Sequence, residues 1–527
     1  MLPPEQQAAR DQFWSLPGLA TSPASGSDRF LSLRVERTDL PEVARAARDL
    51  GGSLMTMVAT DDRAADASFG LRYIFSLPTS QILTVHVPVP AGDAWFPSVT
   101  PHLPAAHWYE REARDMFGIV PLGHPDPRRL VLHDDWPHGY HPLRKDVDGR
   151  VAPPVVAERP FPFQVIKGEG ISEVPVGPIH AGIIEPGHFR FSVVGERVVH
   201  LEARLFYVHR GIEKLCEGMD LLHAQEVVER ICGVCTLAHS LAFCQAVETI
   251  AGLEAPPRAV ALRTALLELE RLYNHVGDTG NLCAGVSLAA GAMTGARIKD
   301  DLQSLAERLT GSRYLRGIAC PGGLRHDCSD AALADFAATV AQAARDAAAL
   351  EGMLLATDSF MRRLSGTGIL PRQAALDLGA VGVAARASGV ARDIRLAHPF
   401  AAYGAYPPVL CTEPGGDVAA RFRLRLRELQ ESARLIGLLL ADLPGGAVCQ
   451  TCTDPPAGSA LGWTESPRGE HVHWLRLGPD GRVDRLRVRA ASFCNWPVVP
   501  LTVPGNMVPD FPLINKSFEL CYSCLDR

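Results

Sequence analysis

The chain has 527 residues, of which 47% are hydrophobic and 21% charged, and a formal net charge of −7 at pH 7. Those proportions belong to a globular protein with a large core and exclude a disordered chain. The acidic balance, with a pI near 6.2, argues against nucleic acid as a partner, which calls for a basic face.

Residues 1–20 carry Glu5, Arg10 and Asp11 and have no apolar centre, so a secretory leader is not expected. No apolar run approaches the ~18 residues of a bilayer span. The expectation is a protein soluble by itself that reaches a membrane only through partners. In chain order, 29–34 and 81–89 read as strands, with a short helix over 41–50 between them, which predicts a small α/β unit over 1–150. Pro153, Pro154, Pro160 and Pro162 mark 151–165 as a linker. Residues 166–527 form the second unit. It begins β-like over 177–205, and from about Glu202 the pattern turns helical. Leu262, Leu266, Leu269, Tyr273 and Val276 keep a helical period, as do Leu333, Phe336 and Val340, and Phe422, Leu426, Leu429 and Ile436. Near the end, 472–477 and 483–488 flank Gly478-Pro479-Asp480-Gly481, a hairpin signal. The fold class expected is α+β, a small α/β unit followed by a mainly helical one.

Thirteen cysteines, an odd number, argue against a disulfide framework in a reducing compartment. Six of them form Cys-x-x-Cys pairs: Cys232/Cys235, Cys449/Cys452 and Cys521/Cys524. Such spacing presents two thiolates to one soft metal ion, and two pairs make a closed set of four. On spacing alone structural zinc is the first reading. The long separation of Cys235 from Cys521 speaks against a local zinc module.

The flanking residues point elsewhere. Arg230-Ile231-Cys232-Gly233-Val234-Cys235 is followed by His239, and Cys521-Tyr522-Ser523-Cys524 lies near the end. Over roughly 170–527 this combination resembles the large subunit of nickel–iron hydrogenases. His209-Arg210-Gly211-Ile212-Glu213 matches that family's Arg-Gly-x-Glu motif, Glu185-Pro186-Gly187-His188 resembles its early Glu-Gly-His region with one residue inserted, and Pro467-Arg468-Gly469 resembles its Pro-Arg-Gly stretch. Upstream, His107-Trp108-Tyr109-Glu110-Arg111-Glu112, Gly123-His124-Pro125-Asp126-Pro127-Arg128-Arg129 and His141-Pro142-Leu143-Arg144 resemble the small hydrophilic subunit of respiratory complex I. The fusion is similar to the large subunit of membrane-associated, formate hydrogenlyase-type hydrogenases.

The resemblance implies the following. Nickel takes Cys232, Cys235, Cys521 and Cys524, with Cys235 and Cys524 bridging to an iron that carries carbon monoxide and cyanide. Cys521 accepts the proton, Glu185 relays it outward, Arg468 and Pro467 lie over the metal pair, and His239 lies near a sulfur. Each has a plainer alternative: a turn residue at Glu185, a surface arginine at Arg468, a core histidine at His239. Glu213 is expected to support a magnesium ion or to hold the fold near the C-terminus, with a helix-surface carboxylate as the plainer alternative; Arg527 stands where many relatives place a histidine ligand for such an ion, which speaks against it.

The implied activity is reduction of protons to, or oxidation of, dihydrogen. Implied partners are an iron–sulfur small subunit, further hydrophilic electron-transfer subunits, membrane-arm subunits, and nickel-insertion and maturation factors. The implied location is the inner face of the cytoplasmic membrane. The alternative is a complex I-type NADH–quinone oxidoreductase subunit, with His180 at the quinone site. Cys449 and Cys452 are left unassigned.

Overall fold

The computed structural model describes residues 29–157, 159–182 and 184–527, together with the backbone of Leu19–Thr21. The stretch read above as lacking a leader lies almost wholly outside them. The fold is α+β, a mixed α/β region followed by a mainly helical one.

β1 (Leu19–Thr21), β2 (Phe30–Arg34), β3 (Ser53–Asp62), β4 (Ser68–Ser76) and β5 (Ile82–Pro90) form one sheet in the order β1-β2-β5-β4-β3. β2 and β5 run parallel; the other neighbours are antiparallel. β3 is buried along nearly its whole length, so both of its faces are covered. The helix Leu40–Asp49, with proline in its first turn, packs Val43, Ala44 and Ala47 into this core.

The aromatic-rich 107–117 segment is a helix, His107–Phe117, that ends at Gly118. Two of its buried acids do local work. Glu110 accepts from the Val99 backbone N–H (2.8 Å), the Thr100 hydroxyl (2.8 Å) and the Tyr73 hydroxyl (3.1 Å). Asp115 accepts from the N–H groups of Leu130, Val131 and Leu132, which ties down the following turn. β6 (Trp95–Pro97) and β7 (Val120–Leu122) pair in parallel beside it.

The second region opens with an antiparallel sheet of β8 (Ile171–Val176), β9 (His188–Val194) and β10 (Arg197–Arg204). The first helix after it starts at Ile212, later than the helical pattern near Glu202 suggested. All three periodic stretches are helices: Pro257–Gly285, Asp330–Leu355 and Val418–Ala441. With Ala289–Thr310 they pack on one another, and Leu262, Leu266, Leu269 and Leu429 are fully buried, each contributing about 1.5–3 kcal/mol. A short hairpin, β11 (Ala319–Cys320) and β12 (Gly323–Leu324), sits between these helices in sequence.

β13 (Gly458–Ser466), β14 (Gly469–Leu477) and β15 (Val483–Arg489) form the last sheet, and the expected turn at 478–481 joins β14 to β15. β13 was not foreseen. It lies so close to the helix Thr236–Ala251 that a side-chain carbon at Gly462 would fall 1.8 Å from the Ala242 carbonyl oxygen. That contact brings the hairpin tip beside the start of the helix.

The two regions share a buried seam. The Arg489 guanidinium donates to the Met55 carbonyl (2.6 Å), Arg476 pairs with Asp62 (2.6 Å), and the His398 ring meets the Ser76 hydroxyl (2.7 Å). Burial lowers His398 from 6.5 to about 4. Between those values the unfolded chain binds more protons, so stability falls as pH falls through this window, by on the order of 3 kcal/mol from this group. A His398→Gln variant, which keeps a partner for Ser76, is expected to gain on the parent in urea unfolding as pH drops from 7 to 4.5; an unchanged difference at the two pH values would refute this.

Candidate metal centre

Cys235 immediately precedes the helix Thr236–Ala251, and Cys521 caps the short helix Tyr522–Asp526, its sulfur accepting from the Cys524 N–H at 3.3 Å. The two segments meet. Cys232 Sγ lies 3.1 Å from Cys521 Sγ, and the sulfurs of Cys232, Cys235 and Cys524 all lie within 4.8 Å of one another. Cys235 and Cys524 are fully buried, whereas Cys521 is partly exposed.

Arg210, from the Arg-Gly-x-Glu motif, clamps the two segments: its guanidinium donates to the carbonyls of Arg230 (3.0 Å), Ile231 (2.7 Å) and Ser523 (2.8 Å). Burial would raise the Cys235 thiol, but hydrogen bonds with Cys232 and Cys524 outweigh it and bring Cys235 down to about 6. The hydrogen bond with Cys232, with burial, pushes Cys521 up to about 12. Glu270 accepts from the Leu237 (2.7 Å) and Ala238 (3.1 Å) N–H groups at the helix start, and burial lifts it to about 8.

Arg468 and Pro467 form the two-residue tip between β13 and β14, with Ser466 paired to Gly469. Gly469 has φ +126°, a conformation that favours glycine and turns the tip inward. Arg468 is buried, not a surface arginine, and both of its terminal nitrogens donate to Asp278, one at 2.9 Å. Burial alone would discharge this arginine; Asp278, then Glu519 and Cys235, hold it charged. Asp278 is braced in turn by Arg425 (3.2 Å), and His275, 3.8 Å from it, hydrogen-bonds Glu428 (3.0 Å).

His239 is buried, with Nε2 3.5 Å from Cys524 Sγ and Nδ1 3.0 Å from His473 Nε2. His471 Nδ1 lies 3.4 Å from the same Nδ1. Burial keeps all three imidazoles neutral. His471 and His473 were missed, although their i, i+2 spacing after the Pro-Arg-Gly turn places them on one strand face. Asp278, Glu270 and the clamping role of Arg210 were missed as well.

Glu185 accepts a hydrogen bond from the Ser523 hydroxyl, between the two late cysteines. His180 is partly buried, its ring 6.2 Å from that of Tyr522. Cys449 and Cys452 do not join the cluster; Cys449 Sγ lies 3.7 Å from Cys320 Sγ.

The magnesium ion expected at Glu213 does not fit its surroundings. The Glu213 carboxylate accepts from Arg485 (2.8 Å), Arg487 (3.3 Å), Arg527 (3.1 Å) and the Val488 N–H (2.9 Å), and these guanidiniums hold it well below the usual carboxylate range. Arg527 supplies the positive charge that an ion would bring. The cysteine cluster does fit a nickel–iron centre in its chemistry: its donors are soft sulfurs only, they come from two segments that the fold brings together, and a fixed cation lies beside them.

A buried cysteine cluster framed by an N-terminal α/β region and a helical core suits a redox subunit, and the following matches place the chain in the hydrogenase and complex I large-subunit superfamily. Residues 210–283 match the family described as nickel-dependent hydrogenase, 33–152 the 30 Kd subunit of respiratory-chain NADH dehydrogenase, and 286–455 and 448–527 its 49 Kd subunit. The chain is 39% identical over 521 residues to formate hydrogenlyase subunit 5 of Escherichia coli (strain K12), covering 97% of this chain and 92% of that one. It is 38% identical over 527 residues to hydrogenase-4 component G of the same organism, covering 99% and 92%. A subunit of the membrane-bound sulfane sulfur reductase, an archaeal respiratory membrane complex, superposes with a TM-score of 0.65 at 26% identity, covering 68% of this chain and 99% of that one. The chain belongs to the formate hydrogenlyase and hydrogenase-4 large-subunit family, with fused 30 and 49 Kd-like regions. Among the described residues no helix is long and apolar enough to cross a membrane.

Proposed function

We propose that this chain is the catalytic large subunit of a multi-subunit nickel–iron hydrogenase. The observation that carries the reading is the meeting of Cys232 and Cys521, 3.1 Å apart in space and 289 residues apart in sequence, beside a buried arginine. Residues 1–150 serve as a docking unit, 151–165 as a linker and 166–527 as the catalytic unit. An iron–sulfur small subunit and further hydrophilic subunits relay electrons, maturation factors insert the nickel, and docking on membrane-arm subunits places the chain on the inner face of the cytoplasmic membrane.

Cys232, Cys235, Cys521 and Cys524 would hold a nickel–iron centre whose iron bears carbon monoxide and cyanide. The bound centre would supply the Lewis acidity and two-electron redox chemistry that dihydrogen requires. The protein groups manage charge and protons around it. Cys521, the least buried of the four, carries the thiolate assigned to take up the proton. Ser523 and Glu185 continue from it toward solvent: the hydroxyl meets the carboxylate, and Glu185 is partly exposed. Arg468, fixed by Asp278, presents a preorganised cation on the Cys235 side, and Pro467 stiffens the turn that carries it. His239 hydrogen-bonds Cys524 and is itself oriented by His473.

The second reading, a quinone-site subunit of an NADH–quinone oxidoreductase, draws on the 30 and 49 Kd matches. The converging thiols rank it second. Metal analysis of the purified complex separates the readings. Nickel and iron together, with infrared bands of carbon monoxide and cyanide, are the expected result; zinc, or no metal, overturns the hydrogenase assignment.

A further inference from the structure

Arg527 is buried, three residues beyond Cys524. Its Nε donates to Glu213 (3.1 Å) and its Nη2 to Glu112, and the guanidinium lies over the Phe493 ring at 5.0 Å. Glu112 belongs to the helix His107–Phe117 of the N-terminal region, and the same oxygen also accepts from Arg487. Trp108 and Tyr109, on that helix, pack against Phe493 at 5.6 and 4.8 Å between ring centroids. The N-terminal region therefore reaches past the seam and touches the segment that carries Cys521 and Cys524. Three guanidiniums, Arg485, Arg487 and Arg527, face two carboxylates, Glu112 and Glu213, in a place without solvent.

We propose that Glu112 is a positioning residue for the metal centre: the fused N-terminal region latches the Cys521–Cys524 segment in place through the Glu112–Arg527 pair. Without its charge, one carboxylate is left among three buried guanidiniums, and the Arg527 side chain is expelled toward water. The short helix Tyr522–Asp526 is otherwise held by its own region: the Ser492 hydroxyl accepts from the Cys521 N–H (3.0 Å) and the His209 ring meets the Asp526 carbonyl. Arg210, in that same region, grips it through the Ser523 and Arg527 carbonyls. Loss of the latch therefore loosens two sulfurs of the four without touching any sulfur directly.

The test uses the full chain carrying Glu112→Gln, which keeps the side chain's size and its acceptor oxygen. The control is Asp62→Asn, which breaks another cross-region pair, to Arg476, on the same seam. Both are compared with the parent in two measurements, with circular dichroism confirming the fold. In chain purified without metal, alkylation of Cys521 and Cys524 by iodoacetamide, followed by mass spectrometry, is expected to be about tenfold faster in Glu112→Gln and unchanged in Asp62→Asn. In the assembled complex, nickel affinity is expected to fall by about 10-fold or more in Glu112→Gln alone. Equal alkylation rates in Glu112→Gln and parent, or an equal rise in both variants, overturns the latch. The nickel arm rests on the function proposed above and the thiol arm does not. A parent complex without nickel would thus sink that function while the latch is still judged by alkylation.

Discussion

Replacing Cys524 with serine is expected to leave the purified complex without nickel and to reduce hydrogen turnover to background. Cys524 is fully buried and shares the cluster with Cys232 and Cys235, so solvent has no open path to the place of its sulfur. A serine hydroxyl is a hard and weakly acidic donor, poorly suited to a soft centre. The same substitution at Cys449, exposed and outside the cluster, is expected to leave nickel at the parental level. Nickel per chain, measured by mass spectrometry, decides between them. Full nickel in Cys524→Ser, or loss in Cys449→Ser alone, would place the centre elsewhere.

Arg468→Met is the second large effect. Arg468 forms a two-pronged pair with Asp278 in the interior, and Asp278 then depends on Arg425 and His275 alone. Removing one partner of a buried pair costs about 3–5 kcal/mol, because the other charge stays behind. A lower denaturation midpoint and reduced soluble yield are expected. Arg468→Lys keeps the charge but not the fork geometry. That variant is expected to fold and to hold nickel, while turnover drops by about 10²-fold, the size of effect seen when one preorganised donor is lost. Parental turnover in Arg468→Lys would show that Arg468 supports the fold and nothing more.

Much of this protein can be read from local strings. The two Cys-x-x-Cys pairs, the Pro-Arg-Gly turn, the Asp-Gly hairpin and the period of the long helices are all contained in windows of a few to some thirty residues. Turn chemistry and side-chain spacing act at that range, so the quartet of cysteines and the α+β class were available without coordinates. Arg468 illustrates the boundary: the motif placed it near the cysteines, yet only the fold buried it against Asp278, 190 residues away.

The sequence alone therefore settled which motifs and which long helices are present. The tertiary structure decided which charges meet. Nothing in the neighbourhood of Glu213 says that three arginines will surround it instead of a magnesium ion, and nothing near Glu112 points to Arg527, 415 positions on. The chain has 59 carboxylates and 52 basic groups, and pairing among them follows from how sheets and helices stack. The imidazole line from Cys524 through His239 to His473 came into view for the same reason: burial and contact are properties of the packed whole, set by long-range apolar collapse, not by local spacing.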